Sequence, residues 1–168
     1  VNENSETKPT SSNGIERLRV EKEWMELSNK FNLPFQIFRL SGIYSNKYNI
    51  LSRLKSGEAK IVNKKNHFFS RIHVEDIANI LSNSLTQFKK DEVYNISDDK
   101  PASAEEVTMY GVKLLGVNKP KIIEINEIEN EMLKNFYKDS KKVNNKKMKF
   151  FFNYKLKYPT YVEGLNYI

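Results

Sequence analysis

His67 and His73 are the only imidazoles in 168 residues, and there is no cysteine. That removes disulfides, thiolate zinc sites and cysteine nucleophiles, and no metal site is expected from two histidines without carboxylate help. Arg71 lies two residues before His73 in the run FSRIHVEDIA (69–78). Its planar guanidinium suits a diphosphate or carboxylate, which it can hold by two parallel hydrogen bonds. The structural alternative is a cation paired with Glu75 or Asp76. His73 immediately precedes a helical pattern with Glu75 and Asp76 in its first turn, so duty at the helix start is expected of it rather than catalysis. Asp76 and Asp98 read as cap or turn residues. The run Ser41-Gly42-Ile43-Tyr44 follows a short apolar segment, and loops at the carboxyl ends of parallel strands are where α/β sheets place ligands. The competing reading is a plain turn, with Gly42 for backbone freedom and Tyr44 as partial core.

Net charge is +7, but it is local. Residues 134–157 hold nine Lys (134, 138, 141, 142, 146, 147, 149, 155, 157) against one Asp (139), so the rest of the chain is close to neutral. Basic residues interleaved with Val143, Met148 and Phe150–Phe152 could grip single-stranded nucleic acid. The plainer expectation is the wet face of helices whose other side packs. Lys far outnumbers Arg, which points away from phosphate forks.

The elements that position these residues alternate. Val20, Trp24, Leu27 and Phe31 recur at helical spacing and predict a helix over 14–31 with that stripe facing the core, stopped by Asn32 and Pro34. FQIFRL (35–40) suits a strand buried on both faces of a parallel sheet. A short helix follows over 49–55, closed by Gly57. AKIVN (59–63) and HFFSRIH (67–73) flank a polar turn and predict a hairpin. Val74–Leu85 reads as an amphipathic helix, VYNIS (93–97) as a second compact strand, and Ser103-x-x-Glu106 as the start of a helix ending at Gly116. KIIEIN (121–126) reads as a last strand, before helices over 127–138 and 143–151. Thr160-x-x-Glu163 opens a terminal helix. The class is α/β. Two central-type strands make a poor sheet, so a truncated protein is expected. None of the six glycines forms a G-x-G-x-x-G turn, and no phosphate cradle is recognisable.

FRLSGIY (38–44), FSRIHVEDIA (69–78), VYNISDDKPAS (93–103) and YPTYVEGL (158–165) together resemble, in order and spacing, the C-terminal half of extended short-chain dehydrogenase/reductases. The nearest likeness is to the atypical NAD-dependent epimerase/dehydratase-like branch. The resemblance implies the C-terminal portion of a Rossmann-like doubly wound parallel sheet plus a small mixed α/β substrate lobe. Residues 1–168 would form a single partial domain. Residues 14–43 and 74–103 would be Rossmann-side elements, and 44–73 and 121–168 the substrate-side lobe. The dinucleotide-binding half would lie outside the chain.

The family's catalytic helix carries Tyr-x-x-x-Lys; here Asn13 holds the Tyr slot and Arg17 the Lys slot. A carboxamide is no phenolic acid/base, and guanidinium stays protonated above pH ~12. The resemblance gives Arg17, Ser41, Gly42 and Ile43 to the cofactor, NAD or NADP, and Tyr44 and Arg71 to the substrate. It implies redox chemistry at a hydroxyl or carbonyl carbon, such as that of a nucleotide sugar. Two rivals stand beside this: a catalytically inactive NAD(P)-binding regulatory protein, and an anion- or nucleic-acid-binding module acting through Lys134–Lys157. A small-molecule substrate, a homodimer and a cytoplasmic location are expected, with neither membrane nor nucleic acid as partner. The polar N-terminus reads as having no signal peptide.

Overall fold

The computed structural model describes residues 1–168. Helix α1 (Ser12–Phe31) opens where the Ser11 side chain accepts the Gly14 N–H. It closes at Asn32, whose left-handed backbone (φ 51°) turns its N–H back onto the Ser28 carbonyl. Three parallel strand pairs follow. Strand β1 (Gln36–Leu40) and β2 (Gly42–Tyr44) are nearly continuous, β3 is Ile61–Val62, β4 is Arg71–His73, β5 is Glu92–Ile96 and β6 is Ile122–Ile123. The pairs are β1 with β5, β2 with β4 and β3 with β6. Helices α2 (Ile50–Lys55), α3 (Val74–Ser84), α4 (Ala104–Leu115), α5 (Glu131–Phe136), α6 (Lys146–Phe151) and α7 (Tyr161–Tyr167) complete the α/β chain.

The expected hairpin does not form. Ile61 and Val62 are both buried, so β3 needs cover on both faces and finds its partner in β6. The turn at Asn66 (φ 55°) sends the chain elsewhere: Phe69 bridges Ala102, and β4 runs parallel to β2. KIIEIN is strand only over β6, then tightens into a 3₁₀ turn at Ile125–Glu127, and the helices expected over 127–138 and 143–151 shorten to α5 and α6.

The α1 stripe is also corrected. Val20, Trp24, Leu27 and Phe31 are all exposed in this chain. The helix is held instead by polar anchors. Ser28 Oγ donates to the Leu33 carbonyl and to Asp91, and Arg39 on β1 pairs with Glu21. Strand β1 has a neighbour on one side only, so its other edge presents unpaired backbone groups. The buried Gln36 carboxamide at its start has no partner.

The stretch 121–168 divides. Its first part, Ile123, Ile128 and Tyr137, packs with Val62. Its later part, Met148, Phe152 and Leu156, joins Ile72, Ile77, Ile80, Tyr94 and Ile96 on the β5 side. Asp76 organises this docking and is more than a cap. Fully buried, it accepts hydrogen bonds from Tyr154 Oη (2.7 Å) and from the Lys157 and Tyr158 amides (2.7 and 3.1 Å). The cap of α3 is His73, whose Nδ1 accepts the Glu75 N–H. Helix α7 opens on the Thr160/Glu163 capping box.

Candidate functional site

The step from β1 to β2 builds one wall of a site. Ser41 N–H donates to the Ile96 carbonyl (2.9 Å) and Gly42 N–H to the Ser70 carbonyl (3.0 Å). The chain therefore switches partner from β5 to β4 at the carboxyl end of β1, the position where open parallel sheets receive ligands. A cavity of about 480 Å³ opens there. Asn13, Arg17 and Glu21, spaced four apart along α1, share one helix face and line it. Arg39 and Ser41 line it from the sheet.

The cations in this cavity are not equivalent. Glu21 is occupied by Arg39, whose Nε donates to it at 3.1 Å. Arg19, pointing away, is paired with Glu16 and Glu23. Arg17 makes no ion pair and faces the cavity, so its donors are free for an anion or a hydroxyl-rich ligand.

The far wall comes from the N-terminal segment and from the 121–168 stretch. The N-terminal segment folds over the cavity, with Glu3 Oε1 accepting the Asn95 N–H (2.8 Å) and the Val1 ammonium donating to the Lys142 carbonyl (2.8 Å). Met132, Asn135 and Phe136 close the opposite side. A polar, proline-containing terminus gives no periodicity by which this role could have been read.

Two residues expected to touch substrate lie outside the cavity. Arg71 Nη1 donates to the carbonyls of Phe69 and Ala102, both at 3.0 Å. Burial lowers its pKa, and nearby Asp98 partly restores it. It pairs with neither Glu75 nor Asp76, which bond Lys157 and the 154–158 segment. Tyr44 is buried edge-on against the His73 ring (5.1 Å between centroids), and its hydroxyl, without a partner, abuts Gly164. Burial raises its pKa, with Asp98 next. Gly42 and Ile43 also fall outside the lining; the Ile43 side chain is exposed.

Behind this wall sits Asp98, 1% exposed. Its Oδ1 accepts the Lys100 N–H (3.2 Å), as a turn residue should, but Oδ2 has no partner. Burial pushes its pKa up to about 7, against the pull of that N–H and of Arg71. Burial likewise lowers the pKa of His73, against the pull of Glu75 and Asp76.

The basic C-terminal segment is neutralised in part by its surroundings. Lys134, Lys141, Lys147, Lys149 and Lys157 each pair with a carboxylate, three of them on other elements: Glu92, Asp99 and Glu75. Phe152 and Tyr158 are core residues, while Phe150 is 91% exposed.

No protein-family model matches the chain, and no curated protein matches it in sequence. Solved structures do. A conserved protein of unknown function from Silicibacter pomeroyi is 35% identical over 99% of this chain and 58% of its own, with a TM-score of 0.91. The dTDP-glucose 4,6-dehydratase of Bacillus anthracis, in complex with NAD, is 20% identical over 98% of this chain and 53% of its own, at 0.78. The UDP-glucose 4-epimerase of Thermotoga maritima, with UDP-glucose, is 16% identical over 97% and 56%, at 0.74. The chain carries the Rossmann-like epimerase/dehydratase fold. It spans little more than half the length of the structures it matches. No helix is long and apolar enough to cross a membrane.

Proposed function

We propose that this chain is the C-terminal, substrate-side portion of an NAD(P)-dependent epimerase/dehydratase-type oxidoreductase acting at a hydroxyl or carbonyl carbon, with a nucleotide sugar as the leading substrate class. The observation that carries this reading is the open cavity at the carboxyl end of β1, lined by Asn13, Arg17 and Ser41, beside a strand edge that lacks a neighbour. The missing strands would pair with β1 and cover the exposed α1 stripe. They would also bring the pyrophosphate cradle, because no glycine-rich turn exists in these 168 residues. The residues present fit the other end of a dinucleotide. Arg17 has free donors for a ribose hydroxyl, and Ser41 lines the cavity beside it.

When bound, NAD(P) supplies hydride transfer. Arg17 keeps positive charge at the cavity and bonds hydroxyls, Asn13 orients a ligand through its carboxamide, and neither moves a proton at neutral pH. Tyr44 and Arg71 support the wall from behind. The same reading places the protein in the cytoplasm, and a homodimer belongs to it as an expectation for the complete protein. The test is NAD and NADP binding by the complete protein, with and without Arg17→Ala. Binding that Arg17→Ala weakens supports the proposal; failure of the complete protein to bind either dinucleotide overturns it.

Asn13 and Arg17 in place of an acid/base pair favour one other reading, an inactive NAD(P)-binding regulator of the same fold. It predicts dinucleotide binding with no hydride exchange for any nucleotide sugar tried. The third reading, nucleic-acid binding through Lys134–Lys157, is less favoured because Lys147, Lys149 and Lys157 pair with carboxylates.

A further inference from the structure

Helix α3 is apolar on two sides. Ile77 and Ile80 point into the core with Ile72, Tyr94 and Ile96. Val74, Ala78, Leu81 and Leu85, spaced four, three and four apart, form a second stripe. All four are exposed, Leu85 to 84%. A surface helix carries polar residues on its outer side, and a helix with two apolar sides belongs in an interior. The direction of the stripe follows from the helix itself. Asp76 and Asn79 bond Tyr154 (2.7 and 3.2 Å), so the C-terminal segment flanks α3 on their side. At about 100° per residue, the stripe lies nearly opposite. Helix α6, just before that segment, covers β5: Phe152 packs on Tyr94 and Lys147 pairs with Glu92. The stripe therefore faces away from β5, towards the side on which β1 has no neighbour.

Helix α1 lies across the sheet from α3, because side chains alternate along β1. Arg39 reaches Glu21 on α1, whereas Phe38 packs against the cluster that holds Ile77 and Ile80. Each face of the sheet thus has an uncovered apolar helix flank, and Leu40, on the Phe38 face, is exposed as well. One body meets all of these needs: a strand against β1 with a helix on each face. A lone strand covers neither stripe, and a lone helix leaves the strand edge open. The chain spans little more than half of the structures that share its fold, so one polypeptide has room for such a body.

We propose that the outward stripe of α3 is the docking face for a helix of the dinucleotide-binding half, packed on the sheet face opposite α1. The two halves then hold each other from both sides of the sheet. This rests on the reading of the chain as one portion of an NAD(P)-dependent protein, and goes beyond it in giving α3 a partner. The helix is gripped from two sides, by the C-terminal segment through Asp76 and by the other half through Leu81 and Leu85.

The test is maleimide labelling of Leu85→Cys in the complete protein, with Lys113→Cys on an exposed side of α4 as the reference and each labelled peptide identified by mass. These 168 residues contain no other cysteine. Cysteine is itself a small apolar residue, so the substitution keeps the stripe apolar. Leu85→Cys should label at least about tenfold more slowly than Lys113→Cys, and Leu81→Cys, the second variant, should be shielded likewise. Binding of NAD and NADP is measured on the same proteins. Labelling of both α3 positions as fast as the reference overturns the proposal, and the cofactor reading stands or falls separately by whether that protein binds a dinucleotide. Shielding without dinucleotide binding keeps the docking of one half on α3 and overturns the cofactor reading. Shielding that is lost on dilution, as light scattering shows dimers giving way to monomers, identifies a second copy of the chain as the cover and overturns the proposal.

Discussion

Asp98 makes the stability of this protein fall as pH rises through the neutral range, and Asp98→Asn should abolish that fall. Its carboxyl is buried, with one oxygen bonded to the Lys100 N–H and the other bare, and its pKa stands at about 7 against an ordinary 3.8. Because the folded value is raised, the protonated form is the one the fold favours. Its contribution is complete below pH ~4, erodes as the unfolded carboxyl ionises first, and is gone above the folded pKa. The rise from 3.8 to about 7 corresponds to about 4 kcal/mol as an upper bound on the difference between the acid and alkaline ends of that range. Asn keeps the Oδ1 acceptor and puts a neutral amide where Oδ2 was unpaired, so the variant lacks this titration. All other titrating groups are common to both proteins, so their difference isolates Asp98. Urea unfolding of each, followed by circular dichroism from about pH 5 to about pH 9, gives the comparison. Asp98→Asn should gain at least about 1 kcal/mol on the wild type between the two ends, with the midpoint of the gain close to neutrality. A stability difference that stays constant across that range would refute the assignment.

Other consequences are as direct. A Cβ at Gly164 would overlap the Tyr44 hydroxyl, so Gly164→Ala should cost about 1–3 kcal/mol by chemical denaturation, with partial rescue by Tyr44→Phe. Tyr44→Phe alone should be neutral or mildly stabilising, because its hydroxyl has no partner to lose. Asp76→Ala leaves Tyr154 and the Lys157 and Tyr158 amides unpaired, and a loss of about 3–5 kcal/mol is expected, with early proteolysis of 146–168 as its local readout. Leu27→Glu on the exposed α1 stripe should change the stability of this chain by no more than about 0.5 kcal/mol, while preventing its association with any covering half.

What the sequence disclosed depended on how local the physics was. Caps and strand interiors are decided within a few residues. Ser103, Asn32, Gly116 and the Thr160/Glu163 box all act where their types and spacing place them. The hairpin expectation fails because both of its segments have β patterns, and pairing between them is only one way to satisfy those patterns. Burial of Ile61 and Val62 on both faces needed a partner in Ile122 and Ile123, far along the chain, and no local signal carries that.

The α1 stripe fails for the opposite reason. Its periodicity is genuine, but periodicity reports that a face must be covered and says nothing about which chain covers it. Trp24 and Leu27 are exposed, β1 has a neighbour on one side only, and the buried Gln36 carboxamide has no partner.

At the site, helical spacing brought Asn13 and Arg17 to one face, and the change of partner after β1 put Ser41 in the lining beside them. Arg71 illustrates the limit. Its position on β4 was legible, whereas its direction is decided by the carbonyls of Phe69 and Ala102, which become neighbours only because Phe69 bridges Ala102. A guanidinium that reaches two carbonyls in the interior is held there more firmly than one facing water. Arg17, with no such carbonyls and no carboxylate, is therefore the cation left for a ligand.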